Sequence, residues 1–215
     1  SSADETAASV ALGAGDMIIL AGTGVANWGT PVRAFSGGRD AFVAGFDGNG
    51  SFLWNTFLGS SADDYSYGIG TDSSGNAYIA GWSYSPGTIA WGTPIRPFTR
   101  NRDCFVAKLD GAGGLQWNTF LGGEYYDGGN DLSVDAAGNS YIIGYSAGTW
   151  GSPIIAHAGG YDAFAAGLDT NGTLLWSMFL GRSGTLGEYG YGVAHDYRGN
   201  AFVTGYGGGT WGTPV

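Results

Sequence analysis

The sequence predicts an all-β fold built from repeated four-stranded units. Three observations carry that expectation. Glycine fills 43 of 215 positions without the every-third-residue period of collagen, 15% of residues are aromatic, and short segments of alternating large and small residues recur in a fixed order. So much glycine works against helical bundles, because each interior glycine costs a helix about 1 kcal/mol relative to alanine. The aromatic and β-branched content lies well above that of a disordered linker. The length is ample for a sizeable core in one or two domains.

The first strand of each unit is Asp40-Ala-Phe-Val-Ala-Gly-Phe-Asp47, repeated as Asp103-Cys-Phe-Val-Ala-Lys-Leu-Asp110 and Asp162-Ala-Phe-Ala-Ala-Gly-Leu-Asp169. Phe42, Ala44 and Phe46 alternate with Ala41, Val43 and Gly45 at the period of two expected of a strand. Asp47-Gly-Asn-Gly50 and its counterparts from Asp110 and Asp169 supply the positive-φ residues of a tight hairpin. The second strand carries a tryptophan: Leu53-Trp-Asn-Thr-Phe-Leu-Gly59, Leu115-Gln-Trp-Asn-Thr-Phe-Leu-Gly122 and Leu175-Trp-Ser-Met-Phe-Leu-Gly181. Strands three and four flank an Asp-x-x-Gly-Asn turn that begins at Asp72, Asp135 and Asp196. A Trp-Gly-Thr/Ser-Pro connection at Trp28, Trp91, Trp150 and Trp211 then leads onward.

Ser1-Ser-Ala-Asp-Glu5 lies over Ser60-Ser-Ala-Asp-Asp64, so the chain opens in mid-repeat. The units are therefore a half repeat over 1–39 and full repeats over 40–102, 103–161 and 162–215, together one domain. Four strands per roughly 60 residues, repeated head to tail, is the pattern of a β-propeller blade. About three and a half four-stranded antiparallel blades are expected, with the first blade incomplete. No further Asp-Ala-Phe segment appears before Val215 to supply its missing strands. An unfinished blade leaves an open edge, and the expectation is that the native polypeptide continues or that another chain, such as a second copy, covers it.

These motifs, Asp-Ala-Phe-Val-Ala, Leu-Leu-Trp-x-x-Phe-Leu-Gly and Tyr-Gly-Ile-x-x-Asp-x-x-Gly-Asn-x-Tyr-x-x-Gly, resemble the seven-bladed β-propeller (SBBP) repeat family of secreted and cell-surface proteins. The resemblance covers almost the whole chain. It implies a propeller fold and an extracellular or cell-surface location, and it brings no catalytic motif.

Charge narrows the functional classes. Eighteen acidic residues against eight basic ones, with Lys108 the only lysine, give a net charge of −10. That balance repels phosphate backbones, which argues against nucleic acid. The longest apolar run, Met17 to Ala21, is too short to span a bilayer. A lone cysteine, Cys104, excludes an intrachain disulfide and replaces Ala41 and Ala163 at a strand position, so a small buried thiol is expected. His157 and His195 have no repeated partners, and no nucleophile triad, paired-His metal spacing or phosphate loop is present. A catalytic role is not expected.

Two sets of residues recur. Glu5, Asp64, Asp127 and Glu188 share one repeat position, on the same face as Arg33, Arg39, Arg96, Arg100 and Arg102. They read either as partners of turn amides and neighbouring blades or as a ligand or calcium site. Trp28, Trp91, Trp150 and Trp211 read as packing anchors or as contacts for a partner or a glycan, whereas Trp54, Trp117 and Trp176 read as core. The expected function is that of a non-enzymatic extracellular structural protein that self-assembles, as a surface or filament subunit, through its open blade. The alternative is a propeller module binding a glycan or a surface protein.

Overall fold

The computed structural model describes residues 4–85, 91–184 and 187–208; Trp211 lies outside them. Among the described residues fourteen strands form three four-stranded antiparallel sheets and one hairpin. The first sheet contains β1 (Thr6–Leu12), β2 (Ile18–Gly24), β3 (Asp40–Phe46) and β4 (Phe52–Leu58). The second contains β5 (Asp64–Thr71), β6 (Ala77–Ser85), β7 (Asn101–Leu109) and β8 (Leu115–Leu121). The third contains β9 (Asp127–Val134), β10 (Ser140–Ser146), β11 (Asp162–Leu168) and β12 (Leu174–Leu180). β13 (Tyr189–His195) pairs with β14 (Ala201–Tyr206).

The sheets are out of phase with the units drawn from the sequence. The Trp-Gly-Thr-Pro connection joins the second and third strands within one sheet, as β2 pairs with β3 and β6 with β7. The short acidic connection, Gly59 to Asp63 or Gly122 to Tyr126, steps to the next sheet instead. Boundaries at 39, 102 and 161 thus cut sheets through their middle. The first sheet is complete, and the two-stranded sheet is the last one. Hydrogen bonding decides this: Asp40-Ala-Phe-Val-Ala-Gly-Phe continues the ladder of β2, from Gly24↔Asp40 to Ile18↔Phe46.

The first strands of successive sheets lie against one another, β1 on β5, β5 on β9 and β9 on β13, as blades do around an axis. Thr71 Oγ1 donates to Leu12 O, and Ser66 Oγ donates to Gly22 O. Apolar cores fill the layers between blades. Ile19, Val43, Leu58, Ile79 and Phe105 belong to one cluster, and Tyr78, Val106, Leu132, Ile142 and Phe164 belong to the next. The first two blades are also fastened by their strand tryptophans to a turn of the following blade. Trp54 Nε1 donates to Gly111 O at 3.0 Å and Trp117 Nε1 to Thr170 O at 3.1 Å.

Each first strand carries a one-residue bulge at the same place, leaving Ala8, Tyr67, Asn130 and Tyr191 unpaired. The bulge pushes a carbonyl across the sheet. A Cβ at Gly81 would overlap Tyr65 O, and one at Gly144 would overlap Gly128 O. The recurring glycine near the end of each second strand is therefore required by the bulge opposite it.

Candidate functional site

Among the described residues seven hairpin turns lie at one end of the blades, and each holds one aspartate: Asp16, Asp47, Asp72, Asp110, Asp135, Asp169 and Asp196. In the regular turns the aspartate caps its own loop. Asp72 Oδ1, for example, accepts from Ser74 N and Asn76 N, and the same pattern recurs at Asp47, Asp135 and Asp196. These hydrogen bonds favour the charged form; they hold Asp47 and Asp196 below the usual carboxylate range.

The opposite end holds the acidic residues singled out by the repeat. Asp40 starts β3 and Asp64 starts β5 in the next blade; both are buried, and they converge over Gly59. A Cβ on Gly59 would stand 2.5 Å from Asp40 Oδ1 and 2.8 Å from Asp64 Oδ2. Asp103 and Asp127 repeat the arrangement over Gly122, at 2.6 and 2.8 Å. The Leu-Gly that closes each tryptophan strand is glycine because two carboxyl groups occupy the space beside it. At the third junction Asp162 crowds Gly181 in the same way, and buried Glu188 takes the position of Asp64.

Backbone amides and hydroxyls serve these carboxyl groups. Ser36 N donates to Asp40 Oδ2 at 2.7 Å and Thr99 N to Asp103 Oδ2 at 2.6 Å. Asp64 accepts from Ser60 N and Ser83 Oγ, and Asp127 accepts from Gly123 N and Ser146 Oγ. Asp40 Oδ1 and Asp103 Oδ1 have no hydrogen-bond partner. Burial, and then the facing carboxylate, push Asp40 and Asp103 up to about 7. Burial raises Asp64 and Asp127 to about 6 against their hydrogen bonds. The hydrogen bonds of Asp64 and Asp127 thus run to amides of the preceding connection and to serine hydroxyls of their own sheets. Glu5 lies just before β1, beside Gly24. Among the described residues, no group of three or more Asp, Glu, His or Cys is placed to hold a metal.

Around this same end runs a belt of aromatic rings that the repeat comparison did not single out. Tyr65 stacks on Tyr67 at 6.5 Å with the planes 10° apart, and it packs against Trp82 at 4.3 Å. Tyr145, Tyr161 and Tyr189 continue the belt across the next junction. Arg39 sits over Tyr65, and the Arg102 guanidinium lies 5.0 Å from the rings of both Trp82 and Tyr126 and 5.3 Å from Tyr145. The bulged Tyr67 and Tyr191 are 39% and 60% exposed.

The pattern of the SBBP beta-propeller repeat matches residues 54–87 and 176–210. Two segments of the chain are similar to the SBBP repeat. Each match runs from a strand tryptophan, across an acidic blade junction, into the following hairpin. An uncharacterized WD repeat-containing protein of Acanthamoeba polyphaga mimivirus is 26% identical over 186 residues, an alignment covering 76% of this chain and 13% of that protein. The chain thus spans a small part of that relative. A propeller of antiparallel blades is consistent with both findings.

Among the described residues the connection tryptophans, outside the matched segments, are packed inward. Trp91 and Trp150 are 3% and 4% exposed. They meet Phe105 and Phe164 edge to face, both at 5.2 Å; Trp28 meets Phe42 at 5.5 Å and remains half-buried. Asn55 Nδ2 and Asn118 Nδ2 each donate at 2.8 Å to the carbonyl of their tryptophan, Trp28 O or Trp91 O. A surface contact through Trp91 or Trp150 is not available to a glycan, because their rings are covered by their own sheet. Cys104 is fully buried, and burial pushes its thiol well above the ordinary range. His195 Nδ1 shares a 2.7 Å hydrogen bond with Ser133 Oγ of the neighbouring blade, and His157 packs on Phe179.

Proposed function

We propose that this chain is a non-catalytic propeller module that works by binding, and that its recognition surface is the tyrosine-rich end of the blades. The single observation that carries this reading is the pair of bulged, exposed tyrosines, Tyr67 and Tyr191, at the same position of the second and fourth sheets beside aromatic rings and arginines. Bulges re-aim side chains and concentrate beside functional sites. Tyrosine gives a large contact area with a polar tip at low entropic cost. An extracellular setting belongs to the same proposal, supported by the repeat resemblance. Probing a glycan and peptide array with the wild-type chain and with a Tyr67→Ala/Tyr191→Ala double variant tests it. Signals lost in the variant at unchanged melting temperature are expected, and identical binding by both chains refutes the assignment.

Self-association is a second reading, favoured by the β13–β14 hairpin. Phe202, Val203 and Tyr206 are exposed there, and a cleft of about 110 Å³ opens between the hairpin and the third blade, lined by Ile143, Ala163, Leu180 and Val203. Among the described residues no strand pairs with the outer edge of β14. Light scattering at rising concentration tests this reading: a growing mass that Phe202→Asp abolishes supports assembly, and a monomer throughout rejects it.

A further inference from the structure

The two ends of the blades differ in where their cations lie and in how many of their acidic residues are buried. Every hairpin turn is acidic, and the cations at that end are Lys108, held 3.6 Å from Asp72, and Arg198. The other six basic residues, Arg33, Arg39, Arg96, Arg100, Arg102 and Arg182, lie at the aromatic end. Six of the acidic residues there, Asp40, Asp64, Asp103, Asp127, Asp162 and Glu188, are buried inside the blade junctions. The turn end thus sets seven aspartates against two cations, whereas at the aromatic end six arginines stand with ten acidic residues, of which Asp4, Glu5, Asp63 and Glu124 are not buried.

Two of those arginines stand among the rings without an acidic partner. Among the described residues no carboxylate lies within 4 Å of the guanidinium of Arg39 or of Arg102, and Arg102 Nε is buried with no hydrogen-bond partner. Asp63 uses Oδ1 on the Arg39 backbone amide at 3.1 Å, and the oxygens of Asp127 are taken by Gly123 N and Ser146 Oγ. A guanidinium is a planar fork of donors that matches a carboxylate. The rings of Tyr65 and Tyr67 lie parallel, their planes 10° apart, with Arg39 over Tyr65, and an exposed tyrosine face suits the C–H face of a pyranose ring.

We propose that the aromatic end binds an acidic polysaccharide, with tyrosine rings stacking on the sugars and Arg39 and Arg102 receiving the uronate carboxylates. This rests on the reading of the tyrosine-rich end as the recognition surface. A chain of this net charge repels polyanions as a whole, so their retention requires a local site.

Affinity electrophoresis of the full chain in native gels tests the assignment, with polygalacturonate, its methyl ester, neutral dextran or poly-L-glutamate cast into the gel. Polygalacturonate alone should retard the protein, and added salt should weaken the effect. Arg39→Gln and Tyr67→Ala, both at exposed positions, should each raise the dissociation constant about tenfold or more at an unchanged melting temperature. Arg39→Lys should recover only part of the loss. Equal retardation by the methyl ester or dextran, still lost in Tyr67→Ala, overturns the acidic ligand and leaves the recognition surface standing. Retardation by poly-L-glutamate at least as strong overturns the carbohydrate in favour of an acidic peptide. If no probe retards the chain, the acidic-sugar assignment falls, and the array comparison of the double variant decides the recognition surface separately.

Discussion

Replacing Asp40 and Asp103 by asparagine removes one ionisable group from each of two blade junctions while keeping shape and the acceptor for Ser36 N and Thr99 N. In the unfolded chain these acids lose their protons near pH 3.9; folded, burial and the facing carboxylate hold the proton up to about pH 7. Between those values the folded chain binds more protons than the unfolded one, so stability falls as pH rises from about 4 to about 7 and levels off above. A rise from 3.8 to about 7 corresponds to about 4 kcal/mol per residue at most. Local opening of a charged pair brings the cost at pH 8 nearer to roughly 2 kcal/mol. The carboxylates of the hairpin turns act in the opposite direction below about pH 4, where their protonation removes stability. A maximum near pH 4 to 5 follows. Urea melts from pH 4 to 8.5 measure it. Each single variant should match the wild type near pH 4, exceed it by about 2 kcal/mol at pH 8 and show a flatter profile. Wild-type stability that is level or rising over this range, or variants that run parallel to the wild type, would refute the account of the paired carboxyl groups.

Other outcomes follow from the same junctions. Gly59→Ala places a methyl group 2.5 Å from Asp40 Oδ1 and should cost about 2–3 kcal/mol, whereas Gly111→Ala meets only Gly75 O at 3.7 Å and should cost less than about 1, both read from denaturant midpoints. Trp54→Phe and Trp117→Phe each delete a hydrogen bond to the next blade and should cost about 1 kcal/mol or more beyond the lost ring area. Ser177 stands where the other blades have Asn55 and Asn118, and its hydroxyl is buried without a partner. Ser177→Asn should reach Trp150 O and raise stability by about 1 kcal/mol, checked by thermal melting.

The strands and turns were legible because their chemistry is local. Asp-x-x-Gly-Asn requires a turn whatever surrounds it, and Ala41-Phe-Val-Ala-Gly can hardly avoid extension. The phase of the blades was not, since a repeat has no natural beginning and nothing in Trp-Gly-Thr-Pro reveals whether it bridges strands of one sheet or of two. The pairing of β2 with β3 settles that through a ladder between residues far apart in sequence. Asp64 and Asp127 were found by recurrence, but their partners Asp40 and Asp103 had already been explained as strand starts, and only the chain path over Gly59 and Gly122 brings the two sets together. The aromatic belt escaped notice because Tyr65-Ser-Tyr67 and Tyr189-Gly-Tyr191 look like plain alternation. The bulge that turns Tyr67 and Tyr191 outward was signalled only indirectly, by Gly81 and Gly205 on the opposing strands.

The tryptophan-to-turn bond between blades has a bearing on how such a chain changes length. Because Trp54 is received by the turn at Gly111 and Trp117 by the equivalent turn at Thr170, the plug and socket are the same at successive junctions. Excising 64–126 as a cassette would deliver Trp54 to the socket at Thr170 and Asp40 to a new neighbour, Asp127, of the kind it already faces. Unequal recombination in the short acidic connections would thus add or remove whole blades with little repacking, whereas crossover in the Trp-Gly-Thr-Pro segments would exchange half-sheets between blades.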